Sequence, residues 1–311
     1  MGSETEHKIP VIDLTKNLMP GTDEWTIACK EARNAFEEIG CFEVVYDKIP
    51  LELRNSVFDQ AKHLFNLPIE TKMQVTSDKP YYGYFGQYSF LPLYESLGVD
   101  NPTTLEGSQK FTNLMWPQGN DTFCEKSQAM SKELVELYEI VTRMVFDSYG
   151  LDSCEHETNI GLTSFLLRYF KYREKESNEK SEIGLHSHTD RTFMSIVHQH
   201  QLGGLQVKSK DGYWIDVKPS PTSFLIIAGD VIGVWSNDRV VPCDHRIIMN
   251  ENNKARYSIG LFAFIDGVIH VPRELIDDEY PLKYKPIDNF DWLRFKATEY
   301  PIKTYFRIKD S

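Results

Sequence analysis

The residues with the most chemical potential lie in the second half of the chain. In Gly184-Leu-His-Ser-His-Thr-Asp190, His188 and Asp190 are two residues apart, and residues so spaced in a strand share a face. One imidazole and one carboxylate can then reach the same ion. A third ligand must come from another strand, and His245, 55 residues beyond Asp190, is the candidate. Two imidazoles and a carboxylate leave adjacent coordination positions open. That arrangement suits non-haem Fe(II) and its O2 chemistry, whereas structural zinc usually recruits cysteine. Eleven residues after His245 comes Arg256-Tyr-Ser258, a second same-face pair. Its guanidinium fork and hydroxyl can hold the far carboxylate of a short dicarboxylate whose other end chelates the metal. His186 is a rival ligand by the same two-residue spacing, or a contact to substrate. His198 and His200 offer a weaker zinc-cluster reading, Cys243 reads as core, and His7, His63, His156 and His270 read as incidental.

These groups need strands to position them, and the sequence changes character after Gly161 to supply them. Short β-branched and aromatic runs recur between turn signals: Thr163–Tyr172, Ile183–His188, Phe193–Gln199, Leu205–Val207, Tyr213–Val217, Ser223–Ile227, Val231–Trp235, Val240–Met249 and Arg256–Phe264. Gly203-Gly204, Asp211-Gly212 and Gly229-Asp230 mark turns. Closely spaced strands of this kind predict a sandwich or jelly roll rather than βαβ units. The first half reads as helical. Helices are expected over Asp23–Ile39, closed by Gly40, from Pro50 to before Pro68, and over Glu125–Tyr149. Cys41–Tyr46 reads as a strand, Lys79–Pro102 as an aperiodic loop, and Asp288–Phe306 as a last helix carrying Phe290, Leu293, Arg294 and Ala297.

Composition narrows the function further. The chain has 311 residues and a net charge of −12 from 34 basic and 46 acidic side chains, which argues against a nucleic-acid partner. It leaves room for an anionic small molecule, because one buried arginine can hold a carboxylate. The five cysteines are odd in number and scattered, as expected of free thiols in a reducing, cytoplasmic setting. No run of about 18 apolar residues predicts a membrane span, and the N-terminus lacks a secretory h-region. Glu6 stands where a myristoylation motif wants Ser or Thr, and the Asn120-Asp121-Thr122 sequon is read as a chance match.

The pattern His188-Thr-Asp190, His245 and Arg256-Tyr-Ser258 resembles that of the plant-type 2-oxoglutarate- and Fe(II)-dependent dioxygenases. The likeness extends to Ile9-Pro-Val-Ile-Asp-Leu14, Gly40-Cys-Phe-Glu-Val-Val45, Gly203-Gly-Leu-Gln-Val207, Gly212-Tyr-Trp-Ile-Asp-Val217 and Trp235-Ser-Asn237. It implies a mainly β chain with helices, built on a double-stranded β-helix (jelly-roll) core with N-terminal and C-terminal helices around it. Residues 1–160 would form the helix-rich region, 161–270 the core and 271–311 the tail, all in one catalytic unit. It also implies Fe(II) on His188, Asp190 and His245, with 2-oxoglutarate as cosubstrate on Arg256 and Ser258. O2 would be the oxidant and ascorbate a supporting reductant. Leu167-Arg-Tyr-Phe-Lys-Tyr172 departs from the family's Arg-x-Asn-Tyr-Tyr-Pro: Phe170 replaces the Asn and the Pro is absent. Tyr172 still falls on the second Tyr, a cosubstrate-binding position. The branch most resembled holds glucosinolate side-chain-modifying and glycoalkaloid-hydroxylating enzymes, whose members do not share a substrate.

The expected prime substrate is an apolar small molecule such as an alkaloid, steroid or phenolic, because the candidate lining residues Tyr84, Phe90, Met115, Phe262, Phe264 and Trp292 are apolar or aromatic. Hydroxylation is the default outcome, with desaturation, demethylation and ring closure open to the same chemistry. A monomer is expected. Two other classes stay open: a metal-binding barrel isomerase or hydrolase, and a catalytically dead binding module of the same fold. Arg256-Tyr-Ser258 counts against the first and the intact ligand set against the second.

Overall fold

A computed structural model of the chain describes residues 8–16, 18–177, 179, 182–249 and 254–294. The first half is helical where an apolar stripe recurs at helical spacing. Strand β1 (Val11–Asp13) leads to α1 (Asp23–Glu38), which starts on Thr22, whose hydroxyl accepts from the Trp25 N–H. Ala28, Ala32, Ala35 and Phe36 bury one face of α1. Gly40 then turns the chain with φ +74°, and a Cβ there would lie 2.0 Å from the Val241 carbonyl oxygen. This close approach admits only glycine and seats β2 (Cys41–Val45) in the sheet.

Helices α2 (Leu51–Phe65) and α3 (Ile69–Lys72) follow, with Pro50 and Pro68 as their N-caps. The expected start of α2 moves by one residue, because Pro50 is extended at ψ 140°. The long helix α5 (Asp121–Ser148) begins four residues before its expected start. Asn120 is its cap, the side-chain oxygen accepting from the Phe123 N–H. Three helices lie outside the expected elements: α3, α4 (Leu105–Met115) and α6 (Ser153–Gly161).

The segment read as an aperiodic loop is instead a hairpin, β3 (Tyr84–Tyr88) and β4 (Leu91–Asp100). Its alternation is hidden by Gln87, at φ +61°, by a register shift between Gly86 and Tyr88, and by Pro92. Strand β4 also lies between β3 and β5 (Thr163–Tyr172). The remaining strands are β6 (Ile183–His188), β7 (Met194–Gln199), β8 (Leu205–Lys208), β9 (Trp214–Asp216), β10 (Ser223–Ala228), β11 (His245–Ile248), β12 (Arg256–Ile265), β13 (Val268–Ile269) and β14 (Ile287–Asp288). The expected strand over Val231–Trp235 is the helix α7 (Asp230–Trp235), buried at every position. A short, fully buried apolar run does not distinguish strand from helix by period. Helix α8 (Asn289–Arg294) opens the expected tail helix, and Ala297 lies outside the described residues.

Two large sheets result, eight strands in the order β1-β2-β10-β7-β12-β5-β4-β3 and four in the order β6-β11-β8-β9, with β13 and β14 forming a separate pair. The two large sheets form the jelly-roll, double-stranded β-helix core. The strands of the first 160 residues occupy both edges of the larger sheet, β2 on β10 and β4 on β5. Strand alternation divides the interior. On β5, Leu167 and Tyr169 join the core shared with the helices, while Phe170 and Tyr172 face the smaller sheet. Among the described residues, no helix is long and apolar enough to cross a membrane.

Candidate metal centre

The two sheets enclose a cavity of about 560 Å³, and the spaced motifs of the sequence converge on it. His188 ends β6 and His245 begins β11, and the two residues are directly paired across the ladder. Asp190 lies beyond the end of β6 rather than on it, so strand alternation does not place its carboxylate. Its backbone carbonyl accepts from the Asp230 N–H at 2.8 Å, which fixes the loop against the start of α7. Gly229 permits that contact, because a Cβ there would lie 2.0 Å from the Thr192 carbonyl oxygen.

The three side chains offer ligand atoms within 4.8 Å of one another. The Nε2 atoms of His188 and His245 stand 3.7 and 3.8 Å from Asp190 Oδ1. Each ring directs Nδ1 at a backbone carbonyl, His188 at His186 (2.8 Å) and His245 at Cys243 (3.1 Å). A carbonyl only accepts, so Nδ1 carries the hydrogen and the Nε2 lone pair faces the centre. Burial, and then the neighbouring His245, push His188 down to about 4, which keeps it neutral. Asp190 Oδ2 is buried and has no hydrogen-bond partner among the described residues. Two inward lone pairs and an orphaned carboxylate oxygen fit a divalent cation.

His186 does not join this set. Between the pairs His245–His188 and Ile247–Leu185, β6 holds one residue more than β11. Such a bulge reverses the side-chain parity. Leu185 and His188 both line the cavity, while His186 is exposed. His198 is also accounted for without metal: its Nε2 accepts from Arg54 Nε at 2.7 Å, and His200 stacks on Phe58. Cys243 is fully buried core.

Arg256, 1% exposed, is held by neutral acceptors. Its Nε donates to the Gly203 carbonyl (2.8 Å), Nη1 to Ser258 Oγ (3.2 Å) and Nη2 to Gln199 Oε1 (2.8 Å). Gln199 is oriented in turn by donating its amide to the Val217 carbonyl. No carboxylate among the described residues pairs with this buried guanidinium, which does not itself line the cavity, although its neighbours Ser258 and Tyr172 do. Tyr172 lies over it, the guanidinium carbon 5.1 Å from the ring centre. Burial raises the Tyr172 phenol and keeps it protonated.

Of the apolar candidates, Phe90, Phe262 and Phe264 line the cavity, together with Tyr172 and Ser258. Tyr84, Met115 and Trp292 do not. Tyr84 faces the other side of β3, its hydroxyl donating to Glu95. Met115 ends α4 in the helix-side core. Trp292 stands behind the wall, its ring 5.2 Å from the guanidinium carbon of Arg191. Lining residues that the sequence reading missed are Tyr94, Arg168 and Arg191. Strand alternation would have found Arg168, which shares a face with Phe170 and Tyr172 on a correctly bounded strand.

The profile of the 2OG-Fe(II) oxygenase superfamily matches residues 163–265, and that of the non-haem dioxygenase in morphine synthesis N-terminal region matches 9–111. The chain is 40% identical over 300 residues to "Probable 2-oxoglutarate-dependent dioxygenase AOP1.2" of Arabidopsis thaliana, covering 94% of this chain and 92% of the relative. Among solved structures, the 2-oxoglutarate complex of the dioxygenase for auxin oxidation 1 from Arabidopsis thaliana aligns with a TM-score of 0.77 at 26% identity, covering 88% of this chain and all (100%) of that one. JOX2 in complex with 2OG, Fe and JA aligns with a TM-score of 0.76 at 26% identity, over 92% of this chain and 84% of that one. With both profiles, its relatives and an intact His-x-Asp…His ligand set in agreement, this chain belongs to the plant 2-oxoglutarate- and Fe(II)-dependent dioxygenases.

Proposed function

We propose that the chain is an oxygenase of plant specialised metabolism that oxidises a small organic molecule in the 560 Å³ cavity, releasing succinate and CO2. The observation that carries this reading is the convergence of the His188, Asp190 and His245 ligand atoms, together with a buried Arg256 guanidinium that has no carboxylate partner among the described residues. His188, Asp190 and His245 would hold Fe(II). Arg256, with Ser258, would hold the distal carboxylate of 2-oxoglutarate, and the protonated Tyr172 hydroxyl would donate to the same cosubstrate. When bound, the iron and cosubstrate would supply O2 activation coupled to oxidative decarboxylation.

The protein's own part is orientation and exclusion of water. Arg256 stays charged at any working pH, so it neutralises a carboxylate without moving a proton. Phe262 and Phe264 shape an apolar wall that keeps water from the reacting carbon. Hydroxylation is the outcome favoured for such a site, and ascorbate would support turnover. The whole chain acts as one catalytic unit in this reading, because both sequence halves contribute to the larger sheet. A cytoplasmic setting is part of the same reading, supported by five free cysteines, and a monomer is part of it by resemblance to the family.

The test is succinate formation from 2-oxoglutarate with Fe(II), O2 and ascorbate, screened against plant metabolite extracts with mass detection. Succinate release that a chelator abolishes and that His188→Ala lacks is the expected result. Metal binding without consumption of 2-oxoglutarate would favour a non-oxygenase barrel or a binding module instead.

A further inference from the structure

We propose that the prime substrate is an organic oxyanion, a carboxylate or a sulfate, seated on the guanidinium of Arg168 in the cavity that Tyr172 and Ser258 also line. This rests on the cosubstrate reading above and adds the charge class of the substrate to it.

Arg168 is 6% exposed and lines the cavity. It shares a strand face with Phe170 and Tyr172. Four residues of β5 separate it from Tyr172, roughly 13 Å at strand rise. Tyr172 in turn pairs directly with Arg256. Arg168, Tyr172 and Ser258 thus line one cavity, and Arg256 lies buried just behind Ser258.

The surroundings of Arg168 leave its charge unanswered. Nη1 donates to the Tyr81 carbonyl, and Nη2 donates to the Gly83 carbonyl (3.1 Å) and Ser96 Oγ (2.7 Å). The Phe85 ring centre lies 4.9 Å from the guanidinium carbon. Nε makes no hydrogen bond among the described residues. The ionisable groups that act on the guanidinium are Tyr94, Tyr88 and Tyr172, all phenols. Two other buried or half-buried cations are paired with carboxylates, Lys72 with Glu95 at 2.5 Å and Arg191 with Asp230 at 2.8 Å. Arg54 and Arg256 also lack a carboxylate among the described residues, but all three side-chain nitrogens of each donate to protein acceptors.

Space is reserved around Arg168 as well. Its direct partners on both sides are glycines, Gly260 on β12 and Gly98 on β4. Directly paired residues share a face, and a Cβ on Gly98 would lie 3.3 Å from Arg168 Nη1. The guanidinium therefore lies against the bare backbone of Gly98, while the Phe262 ring covers Gly260. A neutral amide could bridge the same loop carbonyls without burying a charge. A buried cation with a free donor in an apolar-walled cavity is what an incoming oxyanion requires. The aromatic walls then fit the apolar body of an amphiphilic acid.

The experiment compares wild type, Arg168→Lys and Arg168→Gln by calorimetry with Mn(II) and 2-oxoglutarate present. The probes are arylalkyl carboxylates, each matched with its primary amide, and arylalkyl sulfates matched with the parent alcohols. Wild type is expected to bind at least one anion ten or more times tighter than its neutral partner, and the class that does so identifies carboxylate or sulfate. Arg168→Gln should lose that ratio and Arg168→Lys keep part of it, while all three bind 2-oxoglutarate alike. Equal affinity for anion and neutral partner, no binding of any anion, or a preference that survives in Arg168→Gln each overturns the proposal. Should Arg168→Gln fail to fold, the ratios in wild type and Arg168→Lys decide. Failure of wild type to bind 2-oxoglutarate would instead strike the cosubstrate reading.

Discussion

His245 lies directly opposite His188 in the β6–β11 ladder, with ring centres 4.2 Å apart and both Nε2 atoms turned toward Asp190. Without a cation, the orphaned Oδ2 of Asp190 is a buried acceptor that nothing satisfies. Mn(II), a stand-in that does not turn over, should therefore stabilise the fold, by about 2.7 kcal/mol at a hundred times its dissociation constant. Asp190→Ala and His188→Ala should abolish this shift in thermal unfolding. A full Mn(II) shift in either variant would remove that residue from the ligand set.

Arg256 and Gln199 make the second prediction. Arg256→Lys loses the fork that reaches Gly203, Ser258 and Gln199, and breaking a buried charge pair typically costs about 3–5 kcal/mol. The half-saturating 2-oxoglutarate concentration should rise by roughly two orders of magnitude or more, with the Mn(II) shift preserved. Gln199→Leu removes one acceptor and should raise it less, by about tenfold, in line with a hydrogen bond to a charged group. Steady-state kinetics over a range of cosubstrate concentrations measures both. An unchanged requirement in Arg256→Lys would take that residue out of the role.

The Asp190 loop depends on a glycine that touches no ligand. At Gly229 an added Cβ would meet the Thr192 carbonyl oxygen at 2.0 Å, so backbone has to move. Gly229→Ala should destabilise by about 1–3 kcal/mol and weaken Mn(II) binding, since the Asp230 N–H that holds the Asp190 carbonyl moves too. Gly161, the last residue of α6, has open space around it and serves as the control. Gly161→Ala should be neutral or stabilising by up to about 1 kcal/mol. Urea unfolding of the two variants separates close approach from backbone entropy.

What the sequence made legible follows from what repeats. The metal ligands and the Arg256–Ser258 pair are local motifs at fixed spacing, and they could be read before any fold was known. Strands β5 and β6 have their expected bounds, because the polar stretch 174–182 separates them. Local spacing failed where tertiary contacts decide. The bulge in β6 turns His186 outward, although His186 and His188 have ligand spacing. Asp190 is positioned by α7, a helix whose apolar run reads as a strand. The β3–β4 hairpin hid Tyr94 and placed Tyr84 on the far face, because Gln87 and Pro92 interrupt the alternation. Arg168 falls on the Arg of the family's Arg-x-Asn-Tyr-Tyr-Pro motif, yet the motif gives no sign that its guanidinium lacks a carboxylate until its neighbours are known.

His198 supplies a prediction in pH. Burial pushes it down to about 3 from an ordinary value of 6.5, because its ring stacks on Phe224 at 4.4 Å and Nε2 accepts from Arg54. Nδ1 faces the Ser223 carbonyl at 3.0 Å. The folded state thus holds this imidazole neutral, while the unfolded chain takes up a proton below 6.5. Between about 3 and 6.5 the unfolded state binds more protons, so stability rises with pH and levels off above that window. The slope contributed is up to about 1.4 kcal/mol per pH unit. In His198→Gln, the amide can still accept from Arg54 and donate to Ser223, but it cannot titrate. Urea unfolding at pH 7.5 should find the variant within about 1 kcal/mol of wild type, as expected where both hydrogen bonds survive. At pH 5 the difference should move in the variant's favour by about 2 kcal/mol, as the linkage relation requires. All other titrating groups are common to both proteins and cancel in the comparison. Parallel pH profiles would show that His198 is already charged in the folded state, and that its bond with Arg54 is not the one described.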